Sequence, residues 1–333
     1  MKARQSQPQL PIFFLGTEPR WILKLSVLRT KPSVLVLRSG AVTKRNSSVS
    51  GVLALVTTVL CFGGAYPGII AAEQSFSPGP LVLLRSMMVT ALLALFAVLM
   101  KISMHISFRD LMLTAAIGQL GISMYQWFLY EGQQVSSAGT AATVINMAPV
   151  VTLLASTFYL KEKVPLRRWL GVWLAVAGVV VLGFSGSTTD STGLPLLIVA
   201  AIGLGLYSVF LKPLVVKYHP LSITLHATWP GAILFSWTAP TLSDQVQTAT
   251  QTAWLGALGL AVVVSAGGYV AWAKAVQLLE VSRATIVYYL VPPVAIFYTF
   301  VLFGQKPLPL EYLGILIVIA GVAIALTGRK ANV

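Results

Sequence analysis

A chain of 333 residues that is 56% hydrophobic and only 10% charged, with a mean hydropathy of +0.83, cannot keep its surface in water, because a soluble domain is about one quarter charged. Its formal net charge of +14 is scattered between apolar runs rather than gathered on one face, which excludes nucleic acid as the expected partner and points to the lipid bilayer. The single Cys61 excludes an internal disulfide or thiolate cluster, and His105, His219 and His226 lack metal-ligand spacing, so neither a metal nor a cofactor is expected.

Residues 1–50 carry nine basic residues and one acidic residue, Glu18, and no apolar run long enough to span. They read as a basic, disordered extension outside the fold, although an Arg/Ser-rich, acid-poor leader also fits an organelle transit peptide. Ten apolar runs follow, near 52–71, 80–100, 111–130, 137–160, 168–185, 194–212, 221–240, 254–274, 282–303 and 309–327. Each approaches the roughly 20 residues that a helix needs to cross the hydrocarbon layer. The expected fold is an all-α integral membrane protein.

The first run contains FGGAYPG, 62–68, in which Gly64 and Pro67 interrupt an otherwise apolar helix beside Tyr66. Arg85 lies in the outer part of the second, placed either to snorkel to the headgroups or to attract an anion or gate a path. The third run places Gln119, Ser123, Gln126 and Tyr130 at helical spacing, and the fourth places Thr140, Thr143 and Asn146 ahead of Pro149. Tyr207 falls in the sixth run and His226 in the seventh, where a hydrogen-bonded structural histidine is favoured over a titrating one. The eighth carries Ser265, Tyr269 and Trp272, and the ninth Ser282, Thr285 and Tyr289 ahead of Pro292. Such stripes must face protein or a watery cavity rather than lipid. Each hydrogen bond used only as interhelical glue contributes about 0.6 kcal/mol. Pro149 and Pro292 are expected inside their helices, freeing carbonyls one turn earlier.

Short-loop Lys and Arg mark the cytoplasmic side. With the N-terminus inside, the inner loops and C-terminus hold Lys101, Arg109, Lys161, Lys163, Arg167, Arg168, Lys212, Lys217, Lys274, Arg283, Arg329 and Lys330, and the outer loops only Lys306. Both termini are therefore expected in the cytoplasm, with the protein in the cell (inner) membrane. Glu73, Asp110, Glu131, Glu162, Asp190, Asp244, Glu280 and Glu311 all fall in loops or at span ends. With no carboxylate near a midplane, facilitated diffusion or exchange is at least as open as proton coupling.

The chain also repeats itself. An offset of 143 brings Pro149 onto Pro292, Lys163 onto Lys306, Gly171 onto Gly314 and Gly178 onto Gly321, while one near 142 brings Phe76 onto Tyr218 and Pro78 onto Pro220. Five spans per half is an odd number, so the halves, 51–186 and 193–328, would enter the bilayer with opposite topology, as in transporters built from inverted repeats.

Several of these residues carry a resemblance. The FGG turn at 62–64, the entry Ser77, Pro78 and Arg85, the spacing from Pro149 to Glu162, and the LG…AG pairs at 170–178 and 313–321 resemble the EamA family of the drug/metabolite transporter superfamily, in two successive copies over about 51–328. Phe62 stands where the family often has Trp, and Gln305 stands where the first half has Glu162. The resemblance implies a transporter that exports or exchanges a small metabolite, amino acid or drug-like compound through a central cavity, with homodimerisation left open. An intramembrane enzyme is the main alternative, but the chain has no GxSxG, HExxH or intramembrane aspartate pair. A non-transporting scaffold is the other, and the duplicated polar stripes argue against it. The candidate lining is then Gly64, Tyr66, Pro67, Arg85, Gln119, Ser123, Gln126, Tyr130, Thr143, Asn146, Pro149, Tyr207, His226, Tyr269, Trp272, Thr285, Tyr289 and Pro292. If the first-span break belongs to that cavity, Pro67→Ala inserts normally but alters transport; unchanged transport would reduce the break to packing.

Overall fold

The computed structural model describes residues 41–136, 138–184, 192–304 and 306–327. The basic extension therefore lies outside the described residues up to position 40, as do Asp190, Gln305, Arg329 and Lys330. Every regular element among the described residues is helical. In chain order they are α1 (Ala41–Gly63), α2 (Ala65–Ala72), α3 (Pro78–Leu99), α4 (Phe108–Gly118), α5 (Met124–Gln134), α6 (Ala138–Ile145), α7 (Ala148–Tyr159), α8 (Leu166–Phe184), α9 (Leu194–Lys217), α10 (Pro220–Leu234), α11 (Ala239–Thr248), α12 (Gln251–Gly259), α13 (Val270–Leu278), α14 (Val281–Val287), α15 (Val291–Phe303) and α16 (Pro309–Leu326).

Eight helical stretches among the described residues are long and apolar enough to cross a membrane. The third and seventh expected spans are helical but fall short of that measure. Gln119, Ser123 and Gln126 dilute the apolar character of the stretch through α4 and α5. The seventh ends sooner than expected: α10 leaves the helix at Phe235, and Pro240 starts α11 in the first turn, where a missing N–H costs nothing.

Hydrogen bonds gather the connections into two ends. At one, Tyr218 and Lys217 bind Asp110, and Arg168 pairs with Glu280 at 3.2 Å and donates to Ser282 Oγ at 2.6 Å. The Lys217, Tyr218 and Ser107 donors hold the Asp110 carboxyl down at about 2. Glu162 accepts the N–H groups of Val281 and Ser282, both at 2.9 Å, and so caps α14. Lys212 donates to the carbonyls of Val276 and Leu279, at 2.6 and 2.7 Å, and closes the end of α13. At the opposite end Gln245 on α11 exchanges two bonds with Ser77, Thr192 donates to the Val135 carbonyl, and Glu131 accepts from the Trp127 ring N–H at 3.0 Å. The turn between α13 and α14 is thus clamped by charge at the basic end.

Helices α8 and α16 run antiparallel and meet through glycine. A Cβ on Gly171 would stand 2.5 Å from the Gly321 carbonyl oxygen, and one on Gly178 would stand 2.9 Å from that of Gly314. Under the offset of 143 these two contacts exchange places. Backbones that approach this closely leave no room for a side chain. Gly171→Val should cost about 1–3 kcal/mol or more by overpacking, whereas Gly259→Val, with nothing within 4 Å of its Cβ position, should be tolerated; thermal unfolding of both variants in detergent checks the contrast.

Candidate functional site

Four irregular pieces of backbone converge on the centre of the bundle. Between α1 and α2 the helix breaks at Gly64, whose N–H reaches back to the Cys61 carbonyl at 3.2 Å, and Pro67 offers no N–H to Gly63. Between α6 and α7 it breaks at Asn146 and Met147. Between α14 and α15 a 3₁₀ turn runs over Tyr288–Leu290, and a π-helical stretch, Leu260–Tyr269, joins α12 to α13. A second π-helical stretch, Gln119–Ser123, lies at the corresponding point between α4 and α5. Irregular backbone at membrane depth is tolerated where it borders protein or a cavity, not lipid.

That border is present. A cavity is lined by Tyr66, Ile69, Arg85, Tyr125, Gln126, Leu129, Tyr130, Asn146, Val264, Tyr269 and Tyr288, among others. Its free space is about 40 Å³, enough for a few waters and far short of a metabolite. A second void of about 10 Å³ is lined by Pro149, Thr152, Tyr207, Ser208, Trp272 and Thr285. Phe62, Leu204, Tyr269 and Tyr288 border both. Phe62 meets the rings of Tyr269 and Tyr288 edge-on, at 5.4 and 5.7 Å between centroids, an arrangement favoured by the ring quadrupoles. Three aromatic rings and Leu204 therefore stand between two narrow voids.

Arg85 does not snorkel. It is 3% exposed and donates to the Tyr130 hydroxyl, to Ser265 Oγ at 2.7 Å and, at 3.5 Å, to the Leu260 carbonyl. Its side chain so ties α3 to α5 and to the π-helical stretch. A charge at the centre of a membrane helix costs about 2.5–3.5 kcal/mol on insertion scales. Among the described residues, no acidic side chain lines either void. Glu73, which follows α2 outside the spans, has a buried carboxylate oxygen without a partner, and burial lifts its carboxyl to about 7.

The expected lining divides accordingly. Tyr66, Arg85, Gln126, Tyr130, Asn146 and Tyr269 reach the first void, and Pro149, Tyr207, Tyr269, Trp272 and Thr285 the second. Gly64 and Pro67 make the break that presents Tyr66 but border neither void. Gln119 donates to the Ala227 carbonyl at 3.4 Å, and Ser123 packs where Gly231 of α10 approaches. Gln119 and Ser123 bound the π-helical stretch, whose wider turn shifts the phase of the helix, so the stripe does not stay on one face. Thr143 donates to the Val179 carbonyl of α8. His226 bonds the Met104 carbonyl at 3.1 Å, away from the voids.

Tyr289 is buried in the apolar cluster between α8 and α16, and Tyr288 takes the place expected of it, because the 3₁₀ turn breaks the α-helical register there. Pro292, like Pro149, stands in the first turn of a new helix rather than inside one. The second-half counterpart of the Gly64 break, Gly203–Ser208, is unbroken α9. The first void also takes Tyr125 and Tyr288, aromatic residues that the sequence places near the polar stripes, and Phe62, which lies on none of them. Tyr125 adjoins the Gln126 stripe and Phe62 opens the FGGAYPG motif, so proximity to those features was the available signal.

Comparison with known proteins accords with this arrangement. The EamA-like transporter family matches residues 49–184 and again 191–327. The chain belongs to the EamA family. This EamA protein is 32% identical over 274 residues to a probable terminal-alkyne amino-acid exporter of Streptantibioticus cattleyicolor, covering 82% of this chain and 92% of that one. It is 27% identical to the uncharacterized transporter YdfC of Bacillus subtilis, over 81% of this chain and 88% of that one. A crystal structure 16% identical to it superposes with a TM-score of 0.70 over 84% of this chain and 96% of that one, which establishes a shared fold. The chain is a membrane transporter and not an enzyme. If the aromatic layer is its barrier, Phe62→Ala should raise the leak of glycine from proteoliposomes severalfold over wild type; an unchanged leak would place the barrier elsewhere.

Proposed function

We infer that this EamA protein is an exporter or exchanger of a small metabolite, amino acid or drug-like compound that works by alternating access across the Phe62 layer. The observation that carries the reading is the meeting of four backbone irregularities around one narrow cavity. Discontinuous helices at the membrane midplane are the usual construction of a secondary-transporter site. We read the fold as ten spans in two inverted five-helix repeats, 51–186 and 193–328. The twofold family match, the exchanged glycine contacts of α8 and α16, and the paired π-helical stretches support that reading. The basic end then faces the cytoplasm with both termini, in the cell membrane. Release of the clamp formed by Glu162, Arg168 and Lys212 opens the second void to that side.

Amino acids enter the reading through the exporter named among the relatives, and through the combination of one guanidinium with an aromatic wall. Among the described residues neither void has an acidic lining group, so exchange or facilitated diffusion is the proposed mode. Counterflow of neutral amino acids in proteoliposomes tests it, with and without an imposed pH gradient. Counterflow that ignores the gradient is expected. Accumulation driven by the gradient and abolished by Glu73→Gln would instead make this a proton-coupled transporter with Glu73 as the carrier group.

A further inference from the structure

We propose that Arg85 is the anchor for a singly charged anionic group, a carboxylate, on the transported compound, and that the tyrosine-rich wall of the same cavity takes the compound's apolar part. This rests on the transport reading above and adds the chemistry that the site selects. Among the described residues, Arg85 is the charged side chain lining the first void, and no acidic group lines that void or the second. A guanidinium has five N–H donors, and the described contacts of Arg85 engage three of them, one at the long distance of 3.5 Å. Its Nε–H is buried without a partner. The partners it does have, a phenol, a hydroxyl and a carbonyl, are neutral and fix its orientation without cancelling its charge.

A buried cation with spare donors is costly to maintain unless a counter-charge arrives. Arginine's planar fork matches a carboxylate, and charge-assisted bonds of that kind are the strong ones. Asn146 lines the same void beside Tyr66, and its buried Oδ1 is an acceptor that a donor group such as an ammonium could reach. Ile69, Leu129, Val264 and the ring faces of Tyr125 and Tyr288 supply the apolar remainder. The charge belongs to one half alone: the offset of 142 that brings Pro78 onto Pro220 brings Arg85 onto Ala227, which is fully buried and packs against Gly118. The corresponding position of the fold is thus filled by a methyl group, and the guanidinium is not a requirement of the helix packing that both halves share.

Matched probes separate this inference from the transport reading. Purified full-length protein is heated with L-phenylalanine, 3-phenylpropionate or phenethylamine, and with L-leucine, 4-methylpentanoate or isoamylamine. Counterflow of each is measured in parallel. In at least one set the two carboxylates should raise the unfolding midpoint and be moved, and the amine should do neither. Arg85→Gln should weaken the carboxylate response about tenfold or more, and Arg85→Lys should restore part of it. An amine that binds and moves as well as its acid would overturn the anchor while leaving the transporter intact. So would a folded Arg85→Gln variant with an undiminished carboxylate response. If no probe of either charge is bound or moved, the inference and the amino-acid reading fall together. Where Arg85→Gln does not fold, the acid–amine comparison on wild-type protein decides the matter.

Discussion

A backbone amide or carbonyl has no partner in hydrocarbon, and that constraint organises this molecule. A helix in lipid satisfies its own groups, so each place where the helix is broken must be turned inward. The turn at Gly64, the break at Asn146 and Met147, the 3₁₀ turn at Tyr288–Leu290 and the wide turns of Leu260–Tyr269 are all turned inward, and they meet. Regular, apolar faces remain outside: Leu53, Val56 and Leu60 on α1, or Leu316 and Ile319 on α16, are exposed and suited to lipid. The glycine-mediated approach of α8 and α16 forms a close-packed pair whose contacts involve none of the void-lining residues. The bundle therefore combines a close-packed pair with a set of interrupted helices around the two voids.

The same constraint gives Arg85 its meaning. A guanidinium buried by α3, α5 and the π-helical stretch is stable there because Tyr130, Ser265 and the Leu260 carbonyl were brought within its reach. The lone pair it borrows from Leu260 is available at the start of a stretch whose α-helical bonding is rearranged. Charge at the basic end acts differently. Glu162 and Lys212 satisfy helix termini, and Arg168 pairs with Glu280.

The all-helical, membrane-spanning character was legible in the sequence, because long apolar runs are properties of whole segments. The candidate site was legible only in part. Tyr66, Arg85, Gln126, Tyr130, Asn146 and Tyr269 were found because a polar group in a membrane helix has few places to go. Gln119, Ser123 and Tyr289 were misplaced by a common cause: the stripe assumed a continuous helical period, and π-helical or 3₁₀ turns reset the phase inside the run. Pro149 and Pro292 looked like kinks but begin new helices. Local sequence alone does not distinguish those cases. The second-half counterpart of the Gly64 break stays helical, and Gly203 and Gly205 there serve close packing against Leu120 and Ala148.

The central claim is that the irregular backbone around the aromatic layer is the moving part of a transport site. Amide hydrogen exchange, followed by mass spectrometry on reconstituted protein with and without a compound that it carries, tests this most directly. The account predicts that protection changes together at Gly64–Gly68, Asn146–Ala148 and Tyr288–Val291, while α8 and α16 keep theirs. A change confined to the loops at either end, or one spread evenly over α8 and α16 as well, would contradict it.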